Sequence, residues 1–330
     1  MNSSMPRAVV ASSFAPPRTG GAELQALALA KLLGELSGSS IRLLTGRWEL
    51  RWARSEEISG VKVERLMTPG MMIWRLPFIG HIVKPFFLVG LFIELIRSRK
   101  YYEWVLVAKG FDVAAAAKLA SCFTRKPLVL RTTSSGNFRE HDELKKEFPV
   151  SWRFLWRLAR SSDAFLSQNE LATAELKALG VPGERIFPVA PALDLQRFRP
   201  PSQEDKAAAR KELGLDQTPV LLWVGSERPV KGLDVLLEAC GKIGSPDAFL
   251  LLGGKTASKP AIVGGFKILC PGQRPDVEIY YRAADVFVLP SLCEGRSNAL
   301  AEALASGLPC IVTDIPANKL EIAAGAVEAV

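Results

Sequence analysis

Histidine is almost missing: His81 and His141 are the two that the 330 residues contain. Neither is expected to do chemistry, since His81 sits in an apolar stretch and suits an interfacial or packed position, while His141 sits in a charged stretch and suits a loop. The five cysteines, at 122, 240, 270, 293 and 310, are odd in number, scattered, and without a C-x-x-C pair. A disulfide framework and a zinc site are thereby excluded, and Cys293 is expected to be a small wall residue rather than a nucleophile. No internal repeat or low-complexity run is present. The opening MNSSMPRAVVASS lacks a sustained apolar core, so no secretory leader is expected and a cytoplasmic location follows. The most apolar stretch, GMMIWRLPFIGHIVKPFFLVGLFIELIRSRKYYEW, is interrupted by His81, Lys84, Pro85 and Glu94. A spanning helix of about 20 residues is therefore excluded. What remains is an apolar helix flanked by basic residues, either buried against a sheet or lying in the inner face of a membrane.

Apolar residues at 48% and charged residues at 23% are ordinary for a globular protein, and 330 residues exceed one typical core, so two domains are expected. Charge divides unevenly between them. Residues 1–200 carry 29 Lys and Arg against 18 Asp and Glu, and residues 201–330 carry 13 against 16, which together give the net +8. The basic half suits an anionic partner such as an acidic glycan, a lipid diphosphate or an anionic membrane surface. Nucleic acid is not expected, because no basic stripe interleaved with aromatics is visible.

Short apolar runs alternate with helical stretches along most of the chain. AVVASS, IRLLTG, VKVERLM, EWVLVAK, PLVLRTT, DAFLSQ and RIFPV read as strands of a first doubly wound unit. After LDLQRFRPPSQEDK, strands near LLWVG, FLLLG, FKILC, VFVLP and CIVTD read as a second. The fold class is α/β, with two Rossmann-like domains, 1–197 and 198–330, facing a central cleft and joined near residues 190–205.

Two strand-to-helix turns in the second domain carry charge. PVLLWVGSERPVKGLDVLLEAC brings Arg228 and Lys231 to the end of a buried strand, where a cation can face a diphosphate. AADVFVLPSLCEGRSNALAEALASGLPCIVTDI brings Glu294 to the end of another and puts Glu302 on the following helix. With Ser297 or Asn298 as N-cap, Glu302 comes too late for a reciprocal capping box. It is either a solvated glutamate suited to the helix dipole or a ligand-binding group. Helix N–H groups after Ser297 offer a phosphate cradle. In the first domain, PPRTGGAELQ places Gly20 and Gly21 between a strand and a helix, where backbone can approach an anion, although the motif is not G-x-G-x-x-G.

Gly225, Lys231, Gly232, Glu294, Gly295, Asn298, Glu302, Ala303 and Gly307, with TGGAELQALALAKLL, DAFLSQNELATAELKALGVPGERI and LDLQRFRP, resemble the family 4 glycosyltransferases of the GT-B fold. The resemblance implies a retaining, metal-independent transfer from a nucleoside diphosphate sugar to a glycan or lipid-linked acceptor in cell-surface polysaccharide or glycolipid synthesis. No cofactor beyond the donor substrate is implied. By position, Lys231 would hold the diphosphate, Glu294 the sugar hydroxyls and Glu302 the ribose, with Arg228 beside the charge. Gly20, Gly21, Gly225, Gly295, Ser297 and Asn298 would complete the donor cradle. The chain departs from the family in three ways. Ser226 follows Gly225 where an arginine is usual, PLVLRTTSSGN offers Arg131 where many members have a histidine, and the sequence stops at AAGAVEAV where members continue with a strand and several helices. A shortened product is therefore expected. The competing readings are a nucleotide-sugar epimerase on the same scaffold and a non-catalytic, membrane-associated nucleotide-binding relic.

Overall fold

A computed structural model describes residues 7–17, 21–67, 80–133, 140–189, 193–244, 248–255 and 262–329. The chain divides into two compact units, Met1–Ala192 and Leu193–Val330.

The first unit runs β1 (Ala8–Ser12), α1 (Gly21–Ser37), β2 (Arg42–Arg47), β3 (Ser55–Ile58), β4 (Val61–Met67), α2 (Gly80–Arg97), β5 (Trp104–Lys109) and α3 (Phe111–Thr124). It continues with β6 (Leu128–Arg131), α4 (Glu140–Glu147), α5 (Trp152–Ala159), β7 (Ala164–Ser167), α6 (Glu170–Ala178) and β8 (Ile186–Pro188). The sheet order is β3-β4-β2-β1-β5-β6-β7-β8. All neighbours are parallel except the β3–β4 hairpin. Strands buried on both faces need apolar residues at every position. Accordingly Val9 and Ala11 enter one core cluster and Ala8 and Val10 the other.

The second unit runs α7 (Gln203–Leu213), β9 (Val220–Ser226), α8 (Leu233–Ile243), β10 (Phe249–Lys255), β11 (Ile262–Val263), β12 (Phe266–Gly272), α9 (Glu278–Ala283), β13 (Val286–Leu289), α10 (Asn298–Ala305), β14 (Cys310–Val312), α11 (Lys319–Ala323) and β15 (Glu328–Ala329). Its order is β11-β12-β10-β9-β13-β14-β15. The same division of strand faces holds: Val220 and Leu222 face one cluster, and Trp223 faces the other. α7 starts at a capping box, in which the Ser202 hydroxyl accepts from the Asp205 N–H while the Asp205 carboxylate accepts from the Ser202 N–H.

The apolar stretch after residue 70 forms α2 from Gly80, with Pro85 tolerated near its start; residues 68–79 lie outside the described residues. Phe87, Leu91 and Leu95 are buried at four-residue spacing against the sheet, while Phe86, Val89 and Ile93 face outward. Among the described residues no helix is long and apolar enough to cross a membrane. The side chain of His81 lies outside the described residues. His141 corrects the expectation of a loop: it lies in α4, buried, with ring edges against Trp152 and Trp156 at 5.6 and 5.1 Å.

Candidate functional site

In the second unit the chain builds β10, β11 and β12 on one side of β9, then crosses back to lay β13, β14 and β15 on the other. The carboxyl ends of β9 and β13 therefore flank a topological switch point, where the loops above two parallel strands diverge and leave a crevice for a ligand. Both charged turns sit there.

The first turn is tightly held. Beyond Ser226, Pro229–Lys231 makes one 3-10 turn and Gly232 adopts a left-handed φ of 63°. A Cβ at Gly232 would lie 2.0 Å from the Pro290 carbonyl oxygen, so only glycine lets this loop reach the end of β13. Two hydrogen bonds fix the approach. The Leu292 N–H donates to the Val230 carbonyl at 2.9 Å, and the buried Trp223 indole N–H donates to the Lys231 carbonyl at 3.3 Å. A second glycine is required at Gly254, where φ is 105° and a Cβ would lie 2.2 Å from the Gly225 oxygen. Gly225 itself is in β9, paired with Gly254.

Lys231 Nζ and Glu294 Oε1 are 2.6 Å apart, and both side chains are largely buried. The buried Ser291 hydroxyl donates to the same carboxylate oxygen at 2.8 Å, and the Thr313 hydroxyl donates to the Ser291 carbonyl at 2.5 Å. Four residues from the ends of β9, β13 and β14 thus form one cluster. A hydrogen bond to a charged group is worth roughly 1.5–3 kcal/mol. Ser291→Ala should therefore cost the second unit about 1.5–3 kcal/mol, measured as a shift in its denaturant unfolding.

α10 is N-capped by Ser297, whose hydroxyl accepts from the Leu300 N–H at 3.3 Å. The first N–H groups of α10 follow the Glu294 loop directly, and Asn298 opens the helix. Glu302 lies in the second turn and is not a solvated glutamate. Its carboxylate accepts from the fully buried Tyr281 hydroxyl of α9 at 2.6 Å. Burial pushes its pKa up to about 7, which the Tyr281 bond and the Arg197 charge oppose and the Glu278 charge reinforces. Arg197 is itself bonded to Glu278 at 2.7 Å. Burial and the adjacent Glu302 carry the Tyr281 phenol well above its ordinary range. Glu302 is thus held in a different contact group from Lys231 and Glu294.

The other candidate residues are placed less tightly. Arg228 is exposed, with its Nε 3.3 Å from the Ser226 hydroxyl. Gly295 lies between Glu294 and the helix start, Gly21 is the first residue of α1, and Gly20 lies outside the described residues. Among the described residues no group of three or more His, Cys, Asp or Glu side chains suits a metal ion.

Sequence reasoning missed Ser291 and Tyr281, which look like wall and core residues in SLCE and IYYRAAD. It also missed Glu140 in the first unit, buried at the start of α4. Its carboxylate accepts from the Thr133 N–H and hydroxyl at 2.6 and 2.5 Å and from the Gly110 N–H at 3.3 Å. Arg131, at the end of β6, is buried and its pKa is pulled down to about 10 by that burial, with Glu140 opposing.

Residues 218–328 match the family described as Glycosyl transferases group 1. A D-inositol 3-phosphate glycosyltransferase of Xylanimonas cellulosilytica is 30% identical over 177 residues, covering 48% of this chain and 42% of that protein. The Mycobacterium sp. (strain KMS) enzyme of the same name is 32% identical over 170 residues, covering 47% and 38%. The matched segment thus spans about two fifths of these relatives' length. Among solved structures, sucrose-phosphate synthase from Thermosynechococcus elongatus superposes with a TM-score of 0.73 at 17% identity, covering 98% of this chain and 86% of that one. Anabaena HepE in complex with UDP gives 0.71 at 15%, covering 98% and 85%. WaaG, a glycosyltransferase involved in lipopolysaccharide biosynthesis, gives 0.71 at 16%, covering 98% and 85%. At these identities the likeness is one of fold.

Proposed function

We propose, for a chain that belongs to the group 1 glycosyltransferases and has the GT-B fold, that it moves a sugar with retention from a nucleoside diphosphate sugar to a glycan or lipid-linked acceptor. The observation that carries this reading is the Lys231–Glu294–Ser291 cluster, set beside the α10 N-terminus at the switch point of the second unit. HepE has been solved with UDP and with UDP-glucose, which supports a uridine diphosphate sugar as the donor to try first.

The residues divide the work by charge. Lys231 has three N–H donors and spends one on Glu294, so a diphosphate can take the others while the helix N–H groups of α10 meet its remaining oxygens. Glu294, oriented by Ser291, accepts from sugar hydroxyls, and Glu302 accepts from the ribose. As the bond from the anomeric carbon to the diphosphate breaks, negative charge grows on the leaving oxygen. Preorganised cations and dipoles lower the energy of that state more than that of the bound donor. Gly225 and Gly295 keep backbone close to the donor, and Gly20 and Gly21 of the first unit contribute N–H groups to an anion. Arg228 is exposed and acts at longer range, so Arg228→Ala should cost less than about fivefold in turnover, well below the loss expected at Lys231. A larger loss than at Lys231 in side-by-side assays would move the main cation to Arg228.

The acceptor is proposed to be part of a cell-surface polysaccharide or glycolipid, made at the inner face of a membrane. The experiment is incubation with radiolabelled nucleoside diphosphate sugars, with and without membrane-extracted acceptors. Label appearing in a glycan or lipid fraction supports transfer. An epimerised donor formed without acceptor would favour the epimerase. A folded protein that binds donors and turns over none would favour the relic.

A further inference from the structure

The helices α2, α3 and α5 connect successive parallel strands that advance in one direction across the first sheet, so right-handed crossovers place them on the same face. Their inner residues, among them Leu91, Ala117 and Trp156, share one core cluster. Their outer residues form a surface of unusual composition. Phe86, Val89 and Ile93 on α2, Phe123 on α3 and Phe154 on α5 are between 47% and 69% exposed. Phe92 and Phe123 meet edge to face at 5.8 Å, which joins α2 to α3.

Arg153 and Arg157 on α5 and Arg160 at its C-cap recur at i, i+4 and i+7 and make one exposed stripe. Arg153 stacks over Trp152 at 5.4 Å, and the three arginines border a shallow, solvent-open hollow with Phe154 and Trp156. The segment FPVSWRFLWRLARSS contains no acidic residue to balance them. Arg97, Arg99 and Lys100 add exposed charge at the end of α2.

We infer that this outer face of α2, α3 and α5 docks on an anionic lipid bilayer, with Arg153, Arg157 and Arg160 against lipid phosphates and Phe86, Ile93, Phe123 and Phe154 entering the acyl boundary. Exposed apolar groups with flanking cations match a surface that is apolar inside and anionic at its edge. Nucleic acid fits less well, because Val89 and Ile93 have no ring to stack on a base. The inference extends the proposed lipid-linked acceptor to a specific surface, and it can be tested without any donor.

Cosedimentation with phosphatidylglycerol vesicles at low salt should capture the protein, and phosphatidylcholine vesicles should not. At about 1 kcal/mol per basic residue near the surface, the triple variant R153Q/R157Q/R160Q should bind about 100-fold more weakly. Its circular dichroism and melting temperature should be unchanged, since the replaced groups are exposed. Phe86→Ser with Phe123→Ser should weaken binding independently of salt. The inference is overturned if the wild type does not sediment at low salt, or if the triple variant binds equally well. It is also overturned if glycerol phosphate at millimolar concentration displaces the protein, or if a single-stranded oligonucleotide binds tighter than the vesicles.

Discussion

Replacing Lys231 with alanine should lower turnover on the order of 100-fold, by comparison with the loss of one preorganised charge-stabilising donor. The expectation comes from where the ammonium is held. Trp223 anchors its carbonyl, Gly232 and Val230 bring its loop against Pro290 and Leu292, and Glu294 fixes its Nζ at 2.6 Å. A cation held by that many contacts need not reorganise as the leaving diphosphate gains charge, so its effect falls on the chemical step. The substitution has a second consequence. Glu294 keeps the Ser291 hydroxyl but loses its counter-charge in a largely buried site, and removing one partner of such a pair destabilises by about 3–5 kcal/mol. The two effects separate in the measurements: turnover is assayed well below the melting temperature of the variant, and Lys231→Arg, which keeps the charge, should recover stability more fully than rate. A variant that is folded and turns over at the wild-type rate would remove Lys231 from the mechanism.

Glu302→Gln should make the second unit more stable above neutral pH while weakening donor binding. The carboxyl holds its proton up to about 7 in the folded protein, against an ordinary value of 4.5. Between those values the folded state binds more protons than the unfolded one, so stability falls as pH rises from 4.5, and the deficit is complete above 7. At about 1.4 kcal/mol per unit the deficit is roughly 3 kcal/mol. Glutamine cannot ionise, so the difference between wild type and variant should grow over this window and then level off. Hydrogen exchange of peptides from α9 and α10 would follow it without interference from the first unit. Tyr281→Phe removes a bond to the carboxylate and should move the window to higher pH. A stability difference that is flat from pH 5 to 8 would contradict the burial account. Donor affinity should move oppositely, because an amide replaces one of the two acceptor oxygens with a donor and carries no charge to strengthen the bonds from the hydroxyls. A site that gives up stability for a ligand is a familiar compromise.

Much of this architecture was legible in the chain because strands buried on both faces leave continuous apolar runs. LLWVG, FLLLG and VFVLP can hardly be anything else once Gly, Pro and charged residues bound them. The short edge strands β3, β11 and β15 were not legible, since two to four residues carry no period. α4 was hidden for a different reason: EHDELKKE is so highly charged that His141 looked like part of a loop, and the two tryptophans that bury it come 11 and 15 residues later. At the candidate site, the placement of Lys231 and Glu294 at strand ends could be read from local pattern. Their adjacency could not, because it depends on β9 pairing with β13 across a crossover. Glu302 shows the same limit. Its position past the cap was readable, whereas its burial against Tyr281 follows from the packing of α9 on α10, a contact between segments that look like ordinary core.

The central claim is that Lys231, Glu294 and Glu302 bind one nucleoside diphosphate sugar at the carboxyl ends of β9 and β13. Calorimetric titration with UDP-glucose tests it directly at a pH above about 8, where Glu302, with its pKa of about 7, is already ionised before the donor binds. Saturable binding of one equivalent is expected, weakened at least about tenfold by Glu302→Gln and by Glu294→Gln, and unchanged by Arg153→Gln on the first unit. Binding of full strength in both acidic-residue variants, or no binding of any nucleoside diphosphate sugar by the folded protein, would contradict the account.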